Sequence, residues 1–267
     1  MTLEILTREP RGPRIETPLL FIHGAYLGAW CWAEHFLPWF ARHGYEAHAL
    51  SLRGHGASPG RDKLHVASLD AYVDDVLSAA EQLSRPPVLI GHSMGAVVAQ
   101  RAARRCNARG MVLMAAVPPH GVGGSMLSLA LRDPPLFFAL NALQFGGADV
   151  SSLRRVRDYL FSASLTEAEV SRYLRRTQQE SQRALVDLSW PQHFWIAPSI
   201  GVPALVIGAE KDAFFPTAMI EEAARFHGVA PRIFPSMAHV MMLEPGWQDV
   251  AMHIHAWLEE RISPSAS

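Results

Sequence analysis

A serine hydroxyl attacks carbonyl carbon at neutral pH only when a base takes its proton and a carboxylate fixes the tautomer of that base. The stretch Gly91-His92-Ser93-Met94-Gly95 offers such a serine. Pro86-Pro87 and the apolar run Val88-Leu89-Ile90 precede it, and an alanine-rich helical pattern from Met94 to about Asn107 follows. A buried parallel strand running into a helix through a Gly-flanked serine is a nucleophile elbow, which leaves the hydroxyl exposed at the carboxyl edge of a sheet. A bare Gly-x-Ser-x-Gly is also an ordinary turn, and the flanking strand and helix patterns favour the catalytic reading.

The chain has 13 histidines. His239 follows the last strand pattern in a loop, where a base faces the same sheet edge; His253 and His255 lie inside a terminal helix pattern, and His92 is expected to point away from Ser93. For the carboxylate, Val117-Pro118-Pro119 after one strand holds no acid, whereas the strand ending at Ile207 leads to Glu210 and Asp212. Asp212 is the choice and Glu210 the fallback. The chain order Ser, Asp, His makes chance juxtaposition a poor explanation. A developing oxyanion needs donors, and the N–H groups of Met94, at its helix start, and of Ala25, after His23-Gly24, are placed to supply them. His23 lacks the partner spacing of a metal ligand, so no metal is expected. Arg53-Gly54-His55-Gly56 lacks the lysine and longer glycine spacing of a phosphate loop and reads as a structural turn.

The elements that must position these groups alternate. Leu3 to Leu6 is a candidate edge strand. Leu19 to Ile22, Tyr45 to Leu50, Val88 to Ile90 and Gly110 to Ala116 read as strands, with helical patterns over Trp30 to Arg42 and Leu69 to Leu83 between them. This cadence predicts an α/β fold with a mostly parallel central sheet flanked by helices. From Val117-Pro118-Pro119 to about Pro198 the pattern is helical without a convincing strand, and Ser164-Leu165-Thr166-Glu167-Ala168-Glu169 marks a helix start, with a hydroxyl followed three residues later by a carboxylate. Residues 118–198 are therefore expected to form an inserted helical cap, with 1–117 and 199–267 as the core. The sheet resumes at Pro203 to Ile207 and Arg232 to Phe234, and Asp249 to Glu260 closes the chain as a helix.

With 267 residues, 49% hydrophobic and 18% charged, the chain can bury a large core. A net charge of −1 gives no global attraction for nucleic acid or an acidic membrane. Arg132-Asp133-Pro134-Pro135 interrupts the most apolar stretch, and Met1 to Pro10 has no long apolar block, so neither a membrane span nor a leader is expected and a cytoplasmic location is the default. Cys31 and Cys106 read as buried small hydrophobes.

Together these motifs resemble the α/β-hydrolase fold family. The resemblance rests on Phe21-Ile22-His23-Gly24-Ala25 with Gly28-Ala29-Trp30-Cys31-Trp32, Leu52-Arg53-Gly54-His55-Gly56-Ala57-Ser58, the Ser93 elbow, Gly208-Ala209-Glu210-Lys211-Asp212, and Ala238-His239 with Glu244-Pro245-Gly246-Trp247. The segment from His23 to Trp32 is similar to the esterase, methylesterase and hydroxynitrile-lyase branch. The resemblance implies Ser93 as nucleophile, Asp212 as orienting acid, His239 as base, and Ala25 and Met94 as oxyanion hole. One departure is Ser51-Leu52, where many members carry an aspartate before the Arg-Gly-His-Gly turn.

The expected function is cleavage of a small, apolar or aromatic carboxylic ester through an acyl-enzyme, without a cofactor. His23, Phe137, Phe138, Trp190 and Trp195 are candidates for the substrate pocket, with Leu127, Leu131, Leu140 and Phe145 as further apolar cap residues. Ser93 argues against the aspartate-nucleophile dehalogenases and epoxide hydrolases of this fold. Val240-Met241-Met242 lacks the lysine that plant-type hydroxynitrile lyases place after the base. Carbon-carbon bond hydrolases, thioesterases and cofactor-free haloperoxidases keep the same triad and stay open, as does a non-catalytic receptor. Oligomeric state is unreadable from the chain.

Overall fold

The continuous apolar runs of the sequence become the strands of one sheet. In the computed structural model, which describes residues 2–144, 150–192 and 201–262, these strands are β1 (Ile5–Arg8), β2 (Ile15–Ile22), β3 (Tyr45–Leu50), β4 (Val88–His92), β5 (Gly110–Met114), β6 (Ala204–Ala209) and β7 (Arg232–Phe234). They lie in the order β1-β3-β2-β4-β5-β6-β7. Only the edge pair β1 and β3 is antiparallel; all other neighbours are parallel.

Alternation along the strands divides the core. Phe21, Ile90, Val112 and Ile207 face one layer, packed by α1 (Trp30–Ala33), α2 (Phe36–Arg42) and α11 (Trp247–Arg261). Leu20, Ile22, Leu89, Leu113 and Val206 face the other, packed by α3 (Leu69–Glu81), α4 (Met94–Ala103) and α10 (Thr217–Phe226). Burying one such side chain contributes about 1.5–3 kcal/mol, and helices on both faces explain why these strands are apolar throughout rather than alternating.

The helix expected over Trp30 to Arg42 is two helices, broken at Glu34 and His35. Pro38 is the cause: its ring would clash with the Glu34 carbonyl and it has no N–H to donate, so it is accommodated only in the first turn of a new helix.

Chain order fixes where a ligand belongs. From β2 the chain moves to β3 on one side, then returns to the other side of β2 for β4 and continues outward through β5 to β7. The reversal between β2 and β4 is a topological switch point, and the crevice beyond the carboxyl ends of those strands is the natural ligand site of an open α/β sheet. His23-Gly24-Ala25 and Ser93 follow directly after these two ends.

Among the described residues, five helices intervene between β5 and β6: α5 (Gly123–Arg132), α6 (Pro134–Gln144), α7 (Val150–Leu160), α8 (Glu167–Leu174) and α9 (Gln182–Ser189). The capping box expected from sequence opens α8, with the Thr166 hydroxyl accepting the Glu169 N–H and the Glu169 carboxylate accepting the Thr166 N–H. Leu136, Ala139 and Val156 form a small core of their own between α6 and α7. No helix among the described residues is long and apolar enough to cross a membrane.

Candidate active site

Ser93 sits at φ 53°, ψ −118°, a backbone conformation rarely adopted by a side-chain-bearing residue and one that costs about 1–3 kcal/mol. The surroundings enforce it. The Ser93 N–H donates to the Met114 carbonyl at 2.9 Å, tying the turn to the adjacent strand. A Cβ on Gly91 would strike the Gly95 carbonyl, and one on Gly95 would strike the carbonyl oxygens of Ile22 and His23. The two glycines thus let β4, α4 and the end of β2 approach closely enough to turn the chain within a few residues.

His239 lies in the loop after β7, and its Nδ1–H donates to Asp212 Oδ2 at 2.8 Å. The second carboxylate oxygen, Oδ1, accepts the N–H groups of Phe214 and Phe215, both at 2.9 Å. Asp212 is therefore held at both oxygens, and the bond to Nδ1 leaves Nε2 of His239 as the acceptor nitrogen. Glu210, the fallback acid, is engaged elsewhere: it accepts the Ser236 N–H at 2.9 Å.

His92 lines the cavity, packs its ring 4.8 Å from that of His239 and donates from Nε2 to the His239 carbonyl at 2.9 Å. Burial, with His239 nearby, drives its pKa well below the ordinary histidine value, so the ring is neutral and braces the main chain of His239.

His23 was expected in the pocket, and the structure corrects this. It is fully buried and does not line the cavity. Its Nε2 accepts the Leu52 N–H at 3.1 Å, so Nδ1 carries the proton and donates to the Gly24 carbonyl at 2.8 Å. Burial, then the neighbouring His55, lowers its pKa to about 3 and keeps it neutral. Gly24 C=O and Ala25 N–H share one planar peptide and point in opposite directions. His23 thus orients the Ala25 N–H by holding the carbonyl behind it. No acceptor among the described residues takes the Ala25 N–H. The Met94 N–H, at the first position of α4, is one of the helix donors left without an intrahelical partner.

Ser93, His239, Ala25 and Met94 line one cavity of about 260 Å³. Its other walls are mostly apolar: Phe214, Phe215 and Val240 from the core, Met126 from α5, Phe137 and Leu140 from α6, Val156 and Leu160 from α7, Leu185 and Leu188 from α9. Two more of the expected pocket residues lie elsewhere: Phe138 is 69% exposed and Trp190 63% exposed. Phe137 and Leu140 are three apart and share a helix face, while Phe138 is turned about 100° from it toward solvent. Leu131 is likewise exposed. Trp195 and Phe145 lie outside the described residues, as does the side chain of Leu127. Phe214 and Phe215 carried a signal that sequence reasoning passed over: they are an aromatic pair in the loop just beyond Asp212, and their rings lie 5.2 and 5.4 Å from that of His239.

The turn lacking an aspartate before Arg53 still receives a carboxylate. Glu4 Oε2 accepts from the Ser51 hydroxyl at 2.5 Å and from the Ala57 N–H at 3.1 Å, while Ser51 Oγ accepts the Ala29 N–H at 2.9 Å. The turn is indeed structural: Arg53 grips Asp75 in a bidentate pair, and His55 reaches into the protein to Glu180. Among the described residues, no cluster of His, Cys, Asp and Glu is arranged to hold a metal ion.

Residues 19–251 match the Alpha/beta hydrolase family, and the chain belongs to it. It is 25% identical over 239 residues to a monoacylglycerol lipase of Mycolicibacterium smegmatis, covering 84% of this chain and 82% of that protein. It is 33% identical over 126 residues to a probable esterase, PIR7A, of Oryza sativa subsp. indica, covering 45% of this chain and 47% of that one. A thermophilic esterase from Thermogutta terrifontis, solved with malate bound, superposes with a TM-score of 0.74 at 19% identity over 97% of this chain and 94% of its own, a likeness of fold.

Proposed function

We propose that the protein is a serine hydrolase that cleaves a small, apolar or aromatic carboxylic ester through an acyl-enzyme on Ser93. The observation that carries this reading is the joint placement of Ser93, in its strained elbow, and His239, bonded to Asp212 at 2.8 Å, on the wall of one apolar cavity. The esterase and lipase names of the relatives support the reaction class.

The chemistry follows from the groups in place. His239 Nε2 takes the proton of Ser93 Oγ as the oxygen attacks the ester carbonyl, and Asp212 stabilises the imidazolium. The tetrahedral oxyanion is stabilised by the N–H groups of Ala25 and Met94, each contributing about 3–4 kcal/mol to lowering the barrier. Collapse breaks the bond to the alkoxide, which leaves as the alcohol with the proton from His239. Water, deprotonated by the same histidine, then attacks the acyl group and releases the acid and free Ser93. Residues 118–198 act as the cap over this centre, their apolar side chains selecting the acyl or alcohol part.

The test is steady-state hydrolysis of p-nitrophenyl acetate and butyrate by the wild type and by Ser93→Ala. Serine-dependent turnover is expected; its absence at every acyl length would pass the lead to a receptor role or to another reaction on the same triad.

A further inference from the structure

Among the described residues the buried carboxylates of Asp75, Glu180 and Glu244 are left unused by this mechanism, and Glu180 is the one that reaches the Ala25 loop. Glu180, in the segment between α8 and α9, is fully buried, yet its side chain accepts four donors. Oε1 takes the Tyr72 hydroxyl at 2.7 Å and the Ser181 N–H at 2.6 Å; Oε2 takes His55 Nε2 at 3.1 Å and the Tyr26 N–H at 3.3 Å. Burial, the largest single influence on each, would raise its pKa and lower that of His55, but their mutual attraction and hydrogen bond, joined by the Tyr72 and Ser181 donors at Glu180 and the Arg53 carbonyl at His55, together outweigh it, so Glu180 is held below and His55 above the ordinary value. The contact that matters is with Tyr26, the residue after Ala25.

Tyr26 has φ 66°, a left-handed conformation that a bulky residue keeps only when its neighbours hold it. Both of its backbone polar groups are held from the helical insert: the N–H by Glu180, and the C=O by the Gln178 N–H at 3.0 Å. The Ala25 donor is thus fixed from two sides. Upstream, the core residue His23 grips the Gly24 carbonyl; downstream, the insert grips Tyr26. Glu180 is in turn clamped through its main chain to Gln144, whose side chain donates to the Glu180 carbonyl at 2.6 Å and accepts its N–H at 3.2 Å. Gln144 also lines the cavity.

We propose that Glu180 is a positioning residue for the oxyanion hole: it couples the seating of the helical insert over the cavity to the orientation of the Ala25 N–H. The inference rests on the ester-hydrolase reading and deepens it. With the insert seated, the donor is aimed at the position where charge develops; with the insert displaced, the downstream clamp is lost and the hole is incomplete. Glu180 touches no substrate and acts through Tyr26.

The experiment compares wild type with Glu180→Gln and Tyr72→Phe, using p-nitrophenyl butyrate. Active sites are counted by stoichiometric phosphonylation of Ser93, so that misfolded protein does not enter the rate. A misaimed donor costs transition-state stabilisation, so Glu180→Gln is expected to lower kcat per titrated site by about tenfold or more, with KM within about twofold. Affinity for a trifluoromethyl ketone, which forms a tetrahedral oxyanion adduct on serine, is expected to fall by the same factor as kcat/KM. Tyr72→Phe, which leaves the His55 and Tyr26 contacts in place, should produce a smaller loss of the same kind and carries the test if Glu180→Gln yields no titratable serine. An unchanged kcat per titrated site, or a loss confined to KM or to the fraction of active protein, reduces Glu180 to a fastener of the insert and overturns the proposal. A wild type without serine-dependent turnover overturns the hydrolase reading itself, and this inference with it.

Discussion

Asp212 is bound at both carboxylate oxygens, so its contact with His239 is rigid rather than adventitious. Replacing it with Asn keeps the shape while presenting either an amide N–H to Nδ1–H or a weaker acceptor, so the tautomer that frees Nε2 is no longer enforced. Asp212→Asn and His239→Ala are each expected to lower kcat by about 10⁴-fold with the fold intact, as judged by circular dichroism and kinetics on the same samples. A rate near that of wild type in either variant would remove that residue from the mechanism. At this scale the sequence was informative about residue types and weak about their surroundings. A histidine at a strand end reads equally as pocket wall or buried strut; His23 is a strut, whereas His92 both lines the cavity and braces the His239 carbonyl. The partners that decide this, Leu52 for His23 and His239 for His92, are remote in the chain.

Elements position these residues through close backbone approaches. The Cβ of Gly95→Ala would meet the Ile22 and His23 carbonyls, so the variant is expected to lose about 1–3 kcal/mol in chemical denaturation and to lose activity through displacement of Ser93 and the Ala25 loop. On α6, Phe137 walls the cavity whereas Phe138 faces solvent. Phe137→Ala should therefore raise kcat/KM for longer acyl chains relative to acetate by about tenfold, the scale of one well-filled apolar contact, while Phe138→Ala leaves the ratio unchanged. Equal chain-length profiles for the two would contradict the assigned wall. Strands such as Val88–His92 and Gly110–Met114 were legible because a parallel strand covered on both faces must be apolar throughout. The break between α1 and α2 was legible too, in Pro38, and was missed because the aromatic spacing of Trp32, Phe36 and Trp39 runs across it. Glu180 was not legible: its partners Tyr26, His55 and Tyr72 lie more than 100 residues away in sequence, and no local pattern marks a carboxylate destined for burial.

The whole molecule carries several groups buried in one protonation state. His23, with its pKa lowered from 6.5 to about 3, and His92, shifted the same way, bind protons in the unfolded chain before they do so in the folded one. Stability must therefore fall as pH drops below about 6.5, levelling off only near the folded-state value. Glu180, with its pKa lowered, adds to the same trend, since its stabilisation is present above about 4.5 and is lost as pH falls through its folded-state pKa. Thermal unfolding between pH 7 and pH 4 is expected to show a steadily falling Tm, with a shallower slope in His23→Asn, whose amide can still donate to Gly24; an identical slope would show that His23 is not buried neutral. The proposed turnover belongs to this scale as well, because the mechanism inferred for it draws on the strand ends, the elbow and the helical insert at once. The most direct measurement is mass spectrometry of the wild type and Ser93→Ala, acid-quenched during steady-state hydrolysis of p-nitrophenyl butyrate. One butyryl group on the peptide containing Ser93, present in the wild type and lacking in the variant, is the expected result; sustained ester turnover with no acyl group on Ser93 would contradict the mechanism.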